Sequence, residues 1–209
     1  MVRHQKEQII DRIVDAAITC IRESGTDKVQ ITQIAAQAGM STRTLHRYYP
    51  EKEALLADAA AKFLGTVYAS FATAYSQADK TGLTGLSRLL LLLRLQRELC
   101  HENSVDAMLY LDMRSRHPQY DLHKNAWCAR GNKSLQQIVI RDLEAGKQDG
   151  SIRSDIDTER LAAMIFASAT GVIQRSICGS NSELPQEQTR RQHHILDDYI
   201  EMLTGYLRP

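Results

Sequence analysis

Between Thr32 and Pro50 the chain starts a helix twice and stops it twice. The segment Thr32-Gln33-Ile34-Ala35-Ala36-Gln37-Ala38-Gly39 reads as a helix of about two turns closed by a glycine. Met40-Ser41 then supplies a turn and a capping hydroxyl, and Thr42-Arg43-Thr44-Leu45-His46-Arg47-Tyr48-Tyr49 reads as a second short helix running into Pro50. Two short helices joined by a glycine turn within about 20 residues form the helix-turn-helix pattern, which places its second helix in the DNA major groove. Side-chain spacing agrees with that use. Leu45 and Tyr49 lie four apart and face inward together, leaving Thr42, Arg43, Thr44, His46, Arg47 and Tyr48 toward solvent. Arg forks onto guanine O6 and N7, Thr offers a methyl to thymine and a hydroxyl to phosphate, and Lys52 sits at a neighbouring phosphate.

The flanking segments are helical as well. Ile10, Ile13, Val14, Ala17, Ile18 and Ile21 recur at helical spacing between Gln5 and Glu23, and Gly25 stops the run. Pro50-Glu51-Lys52-Glu53 opens a longer helix that reaches about Gln77, since proline suits a first turn and acids there complement the helix dipole. Beyond the breakers at Lys80 to Gly85, helices are expected from Leu86 to Leu99, Val105 to Arg116, Gln119 to Lys147, Asp157 (as N-cap) to Ile177, and Gln186 to Leu207. Strand-like alternation is sustained nowhere. An all-α chain of about nine helices follows, with a three-helix DNA-binding domain at 1–52 and a larger helical domain at 53–209.

Composition bounds the remaining classes. The chain has 209 residues, 43% of them apolar and 24% charged, and aromatics make up only 6%. That length buries roughly 70% of its extended surface without metal or disulfide. Net charge is +1, with eight Lys/Arg against six Asp/Glu in residues 1–52, so any electrostatic signal for nucleic acid is local. The amino terminus has no apolar signal core, and the longest apolar run, Leu89 to Leu93, is too short for a membrane span. Cys20, Cys100, Cys128 and Cys178 have neither zinc nor disulfide spacing, so reduced thiols in the cytoplasm are expected. Neither His117, Asp121 and His123 nor His193-His194 matches a two-His helix site, so no metal is expected. Without a GxSxG, P-loop or GxGxxG signature, no enzyme chemistry and no cofactor are expected.

The run Ile34-Ala35-Ala36-Gln37-Ala38-Gly39-Met40-Ser41-Thr42-Arg43-Thr44-Leu45-His46-Arg47-Tyr48-Tyr49-Pro50-Glu51-Lys52-Glu53-Ala54-Leu55-Leu56 closely resembles the DNA-binding signature of TetR-type transcriptional regulators. A weaker resemblance continues from Glu144-Ala145-Gly146 through Gly150 to Asp157, similar to the loop before that family's two dimerisation helices. The resemblance implies that Thr42, Arg43, Thr44, Arg47 and Tyr48 face the major groove, with Thr32, His46 and Lys52 near phosphates. The chain departs from the family's frequent residues at Gln30 (Ser or Thr), Arg43 (Gly or Pro), His46 (Tyr) and Tyr48 (His). A base contact from Arg43 is therefore an expectation particular to this sequence.

For the larger domain the resemblance implies a homodimer and a small-molecule pocket whose effector releases double-stranded operator DNA. Stripes at Leu161, Ile165, Ser168, Val172, Ile195, Leu196, Tyr199, Ile200, Leu203, Tyr206 and Leu207 suit helix-on-helix packing, which is ordinarily core within one chain. The resemblance assigns Ile165, Ser168, Val172, Leu196, Tyr199, Ile200 and Leu203 to dimerisation instead. Candidate pocket residues, chosen as aromatic surface with few polar anchors, are Phe71, Tyr75, Met108, Asp112, Met113, Trp127 and Arg130. Two other readings stay open. One is a helical ligand-binding or protein-interaction module that does not touch DNA; the other is a thiol-based redox sensor using Cys100 or Cys128.

Overall fold

The computed structural model describes residues 2–102, 125–180 and 186–209, and all of its regular elements are helices. They are α1 (Val2–Ser24), α2 (Ile31–Gln37), α3 (Thr42–Tyr48), α4 (Lys52–Gln77), α5 (Gly85–Glu102), α6 (Ala126–Gln148), α7 (Thr158–Ser180) and α8 (Gln186–Leu207). The described residues gather into two compact units, the first holding 2–67 and 125–130, the second 68–102, 131–180 and 186–209.

Local chemistry sets the ends of the short helices. Gly39 takes φ +65° just past α2, where its N–H donates to the Ala36 carbonyl at 3.0 Å and the Met40 N–H to that of Ala35 at 3.0 Å. This is a Schellman stop, and only glycine enters that backbone region without steric cost. Ser41 then caps α3, its Oγ accepting from the Thr44 N–H at 3.1 Å. At the start of α2, Gln33 accepts the Gln30 N–H on its Oε1 at 2.9 Å. Pro50 does not open α4 as the sequence suggested. Tyr49, ahead of it, adopts φ −130° and ψ 89°, as a residue before proline is pushed to do, and α4 begins at Lys52.

Ile13, Val14, Ala17 and Ile21 of α1, Ile34 and Ala35 of α2, Leu45 of α3 and Leu55, Ala59 and Phe63 of α4 form the buried core of the first unit. On its outer side Lys62 of α4 donates to both Asp11 and Asp15 of α1 at 2.6 Å each. The two carboxylates hold the Lys62 ammonium above its ordinary pKa even though partial burial opposes it.

In the second unit the glycine-rich segment 146–150 does the joining. The Gly85 N–H donates to Asp149 Oδ2 at 2.7 Å and the Leu86 N–H to Ser151 Oγ at 3.2 Å, so the turn after α6 caps the start of α5. Those bonds hold the Asp149 carboxyl below its usual pKa, with Ser151 the leading cause. Asp157 caps α7, as its sequence position suggested, by accepting the Arg160 N–H at 3.0 Å. Helices α7 and α8 pack along their length, and Tyr68 of α4 meets Phe166 of α7 edge to face at 6.5 Å.

Three helix limits differ from expectation or fall outside the described residues. The helix expected from Gln119 starts at Ala126, because Asn125 caps it: its Oδ1 accepts the Trp127 N–H at 3.1 Å and its carbonyl the Ala129 N–H at 2.8 Å. Helix α7 continues beyond Ile177 to Ser180. The helix expected over Val105 to Arg116 lies outside the described residues.

Candidate nucleic-acid interface

Helix α3 divides its seven residues between two environments. Leu45 is fully buried and Tyr49, just past its end, nearly so, whereas Arg43, His46 and Arg47 are exposed and Thr42, Thr44 and Tyr48 half-buried. The split follows from 3.6 residues per turn: four-residue spacing puts Leu45 and Tyr49 on one side. Thr44 is partly committed, since its Oγ1 lies 2.9 Å from the Ser41 hydroxyl. Thr32 is exposed in the first turn of α2, and Lys52 is half-buried at the first position of α4. The eight residues selected from the sequence are thus all at least partly accessible, and all lie in the first unit. A face of guanidinium, imidazole, hydroxyl and ammonium groups has the donors that phosphate and base edges require.

What holds α3 in place was not foreseen. The Tyr49 hydroxyl donates to Asp58 Oδ2 of α4 at 2.6 Å, and Asp58 Oδ1 accepts the side-chain amide of Asn125 at 2.8 Å. The one sequence trace of this was an acid, Asp58, within the otherwise apolar run Leu55 to Ala61. Burial, then the bond to Asp58 and the charge it carries, push the Tyr49 phenol well above its ordinary pKa. A phenol raised in the folded state stabilises below the unfolded value of about 10 and loses that contribution as pH climbs above it. Urea denaturation is therefore expected to show unfolding free energy falling more steeply above about pH 10 in the wild type than in Tyr49→Phe. Parallel pH profiles would refute this.

The candidate effector residues that are described belong to α4 and α6. Phe71 and Tyr75 are buried on one side of α4 in the second unit. Tyr75 already has partners: its hydroxyl donates to Asp142 Oδ2 at 2.5 Å, Arg141 Nη2 donates to that hydroxyl at 3.3 Å, and Lys80 Nζ stands 4.8 Å from the ring centroid. Trp127 is half-buried and Arg130 exposed in the first unit. Met108, Asp112 and Met113 lie outside the described residues, as do His117, Asp121 and His123. A cavity of about 570 Å³ between α5 and α8 is lined by Leu90, Arg94, Ile200 and Glu201 among others, and by none of the candidate effector residues.

The candidate dimerisation residues sort by face. Ile165, Leu196, Tyr199, Ile200 and Leu203 are buried within their own chain, Val172 is half-buried, and exposed Ser168 hydrogen-bonds the Tyr199 hydroxyl at 2.7 Å. Among the described residues of these same helices, Met164, Met202 and Tyr206 are large apolar side chains that face outward, exposed by 57, 65 and 54%. Periodicity marked both helices as apolar but did not tell which stripe stays uncovered.

Among the described residues, Cys20 and Cys128 are buried and form no disulfide, and burial foremost raises the Cys20 thiol pKa. No group of three or more His, Cys, Asp or Glu among the described residues has metal-binding geometry. No described helix is long and apolar enough to cross a membrane.

Residues 13–59 match the family model described as bacterial regulatory proteins, tetR family. Along the chain, similarity extends to the transcriptional repressor KstR2 of Mycolicibacterium smegmatis, 24% identical over 71% of this chain and 70% of the relative. It extends as well to the fatty acid metabolism regulator protein of Bacillus subtilis, 26% identical over 78 and 80% of the two chains. In three dimensions the chain resembles a TetR transcription regulator from Haloarcula marismortui, with TM-score 0.63, 21% identity and coverage of 96 and 97%. It resembles FadR of Bacillus subtilis in complex with stearoyl-CoA as well, with TM-score 0.62, 20% identity and coverage of 94 and 98%.

Proposed function

We propose that this chain is a TetR-type transcriptional regulator that represses transcription by binding a near-palindromic operator as a homodimer and lets go when a small molecule binds. Residues 1–52 are the DNA-binding part in this reading, and 53–209 the effector-binding and dimerisation part. The observation that carries it is the two-sided chemistry of α3. Leu45 and Tyr49 anchor the helix inward while Arg43, His46 and Arg47 stand in solvent with no apolar role. Two copies related by a two-fold axis would set their α3 helices on half-sites roughly 34 Å, or a multiple of it, apart. The outward residues Met164, Met202 and Tyr206 of α7 and α8 supply the apolar surface for that pairing.

The effector proposed is a largely apolar molecule. Support comes from the Bacillus subtilis FadR structure, whose ligand is stearoyl-CoA. A long-chain acyl-CoA is accordingly the first probe for operator release.

Selection of genomic fragments by the purified protein near physiological salt gives the operator; one enriched palindrome is expected, and no enriched motif would refute the reading. On that operator the two kinds of contact separate. Arg43→Ala is expected to cost about 1–3 kcal/mol and to relax preference at one base pair in each half-site. Lys52→Ala should weaken all sequences alike and reduce the salt slope by about one per subunit. An Arg43→Ala loss that is equal on every sequence would remove it from base recognition.

A further inference from the structure

We propose that the Asp58 carboxylate is the positioning residue of the recognition helix, and that Asn125 orients it, so that the start of α6 is coupled to the end of α3. This rests on the reading of α3 as the helix that meets DNA. All the groups involved lie in the first unit. Helix α3 has only seven residues, and its own hydrogen bonds do little to fix its placement. Leu45 anchors it apolarly, and the Tyr49 hydroxyl ties its end to α4 by donating to Asp58 Oδ2 at 2.6 Å. An O–H donor on a carboxylate is among the stronger and more directional hydrogen bonds, so the rotamer of Asp58 determines where Tyr49 sits.

That rotamer is set from the other side. Asp58 Oδ1 accepts from Asn125 Nδ2 at 2.8 Å, while Asn125 Oδ1 is occupied by the Trp127 N–H at 3.1 Å. With its oxygen committed to capping α6, the Asn125 amide can turn only its NH₂ toward Asp58. Two turns along α4 from Asp58, Gly65 lies against the first turn of α6: a Cβ there would overlap the Trp127 carbonyl oxygen and stand 2.9 Å from its carbon. The first turn of α6 is therefore seated on α4 by backbone contact at Gly65 and by the amide at Asp58. A shift of that turn cannot leave the Asn125 bond intact, and breaking it frees the carboxylate that holds Tyr49. Residues 125, 58 and 49 form one chain of hydrogen bonds from a helix start to a recognition-helix end.

The test uses the full-length chain and two variants that spare the local structure. In Asn125→Ser the hydroxyl still caps α6 but no longer reaches Asp58; in Tyr49→Phe the ring stays and the hydroxyl goes. Amide hydrogen exchange over residues 42–49 is expected to rise about three- to tenfold in each variant, with α6 amides unchanged in Asn125→Ser. In the double variant the second change should add nothing, because both break the same chain. Operator affinity should fall in parallel, by about three- to tenfold. Unchanged α3 exchange in Asn125→Ser, or effects of the two variants that simply add, would overturn the coupling. Exchange is read without DNA, so a wild-type protein that binds no operator would sink the DNA-binding reading while the exchange result still decides the coupling.

Discussion

Replacing Gly85 with alanine is expected to destabilise the second unit more than any surface change. A Cβ at this position would overlap the amide nitrogen and Cα of Gly146 and stand 2.5 Å from the Asp142 carbonyl oxygen. All three atoms are backbone, so no flexible side chain can yield and α5 must move off α6. Movement also draws the Gly85 N–H from Asp149 and the Leu86 N–H from Ser151, leaving the Thr84 hydroxyl, which accepts the Ser87 N–H at 3.2 Å, as the cap at the start of α5. Overpacking costs about 1–3 kcal/mol and a lost bond to a carboxylate about 1.5–3 more, which together predict about 3–5 kcal/mol. For a chain of this length the melting temperature should fall by about 10 °C, measured by calorimetry or circular dichroism. A loss under about 1 kcal/mol would mean that the two helix backbones do not meet at Gly85 and Gly146.

The second large effect is expected from Leu45→Ala. Leu45 is fully buried beneath α3, and truncating a buried leucine costs about 2–5 kcal/mol through lost transfer energy and the cavity left behind. Helix α3 has few other anchors, so the damage should concentrate there. Operator affinity is expected to drop more than in Lys52→Ala, which touches only a phosphate, and the drop should be the same on every sequence. Urea denaturation checks the stability and fluorescence anisotropy with labelled operator checks the affinity. Retained affinity with lowered stability would show that α3 is placed by Tyr49 and its partners rather than by the apolar anchor.

These two residues were unequally legible. Leu45 declared itself through its spacing to Tyr49, because on a helix the period alone fixes which side chains share a side. Gly85 looked like a breaker among Lys80 to Gly85. Its close approach to Gly146, 61 residues away, depends on how two helices cross, and no local pattern carries that information.

The same division runs through the candidate interface and the larger unit. Gly39, Ser41 and Asp157 were readable because a cap is a contract between residues two to four apart: a left-handed glycine closes α2, and oxygens at 41 and 157 receive the first N–H groups of the next helices. The exposed set Arg43, His46 and Arg47 followed from the same arithmetic. By contrast, Asn125 stopping a helix expected from Gln119, and Asp58 tying Tyr49 to Asn125, involve side chains 67 residues apart that the tertiary structure brings to hydrogen-bond distance.

Helices α7 and α8 show the limit most clearly. Their apolar periodicity was plain, yet Ile165, Leu196, Ile200 and Leu203 are covered within the chain while Met164, Met202 and Tyr206 are left open. By itself the sequence determined where helices start and stop and which residues share a side, because those depend on hydrogen bonds and steric limits within one or two turns. Which side is covered, and which polar groups pair across it, was decided only by tertiary packing, since burial depends on the neighbour a helix meets.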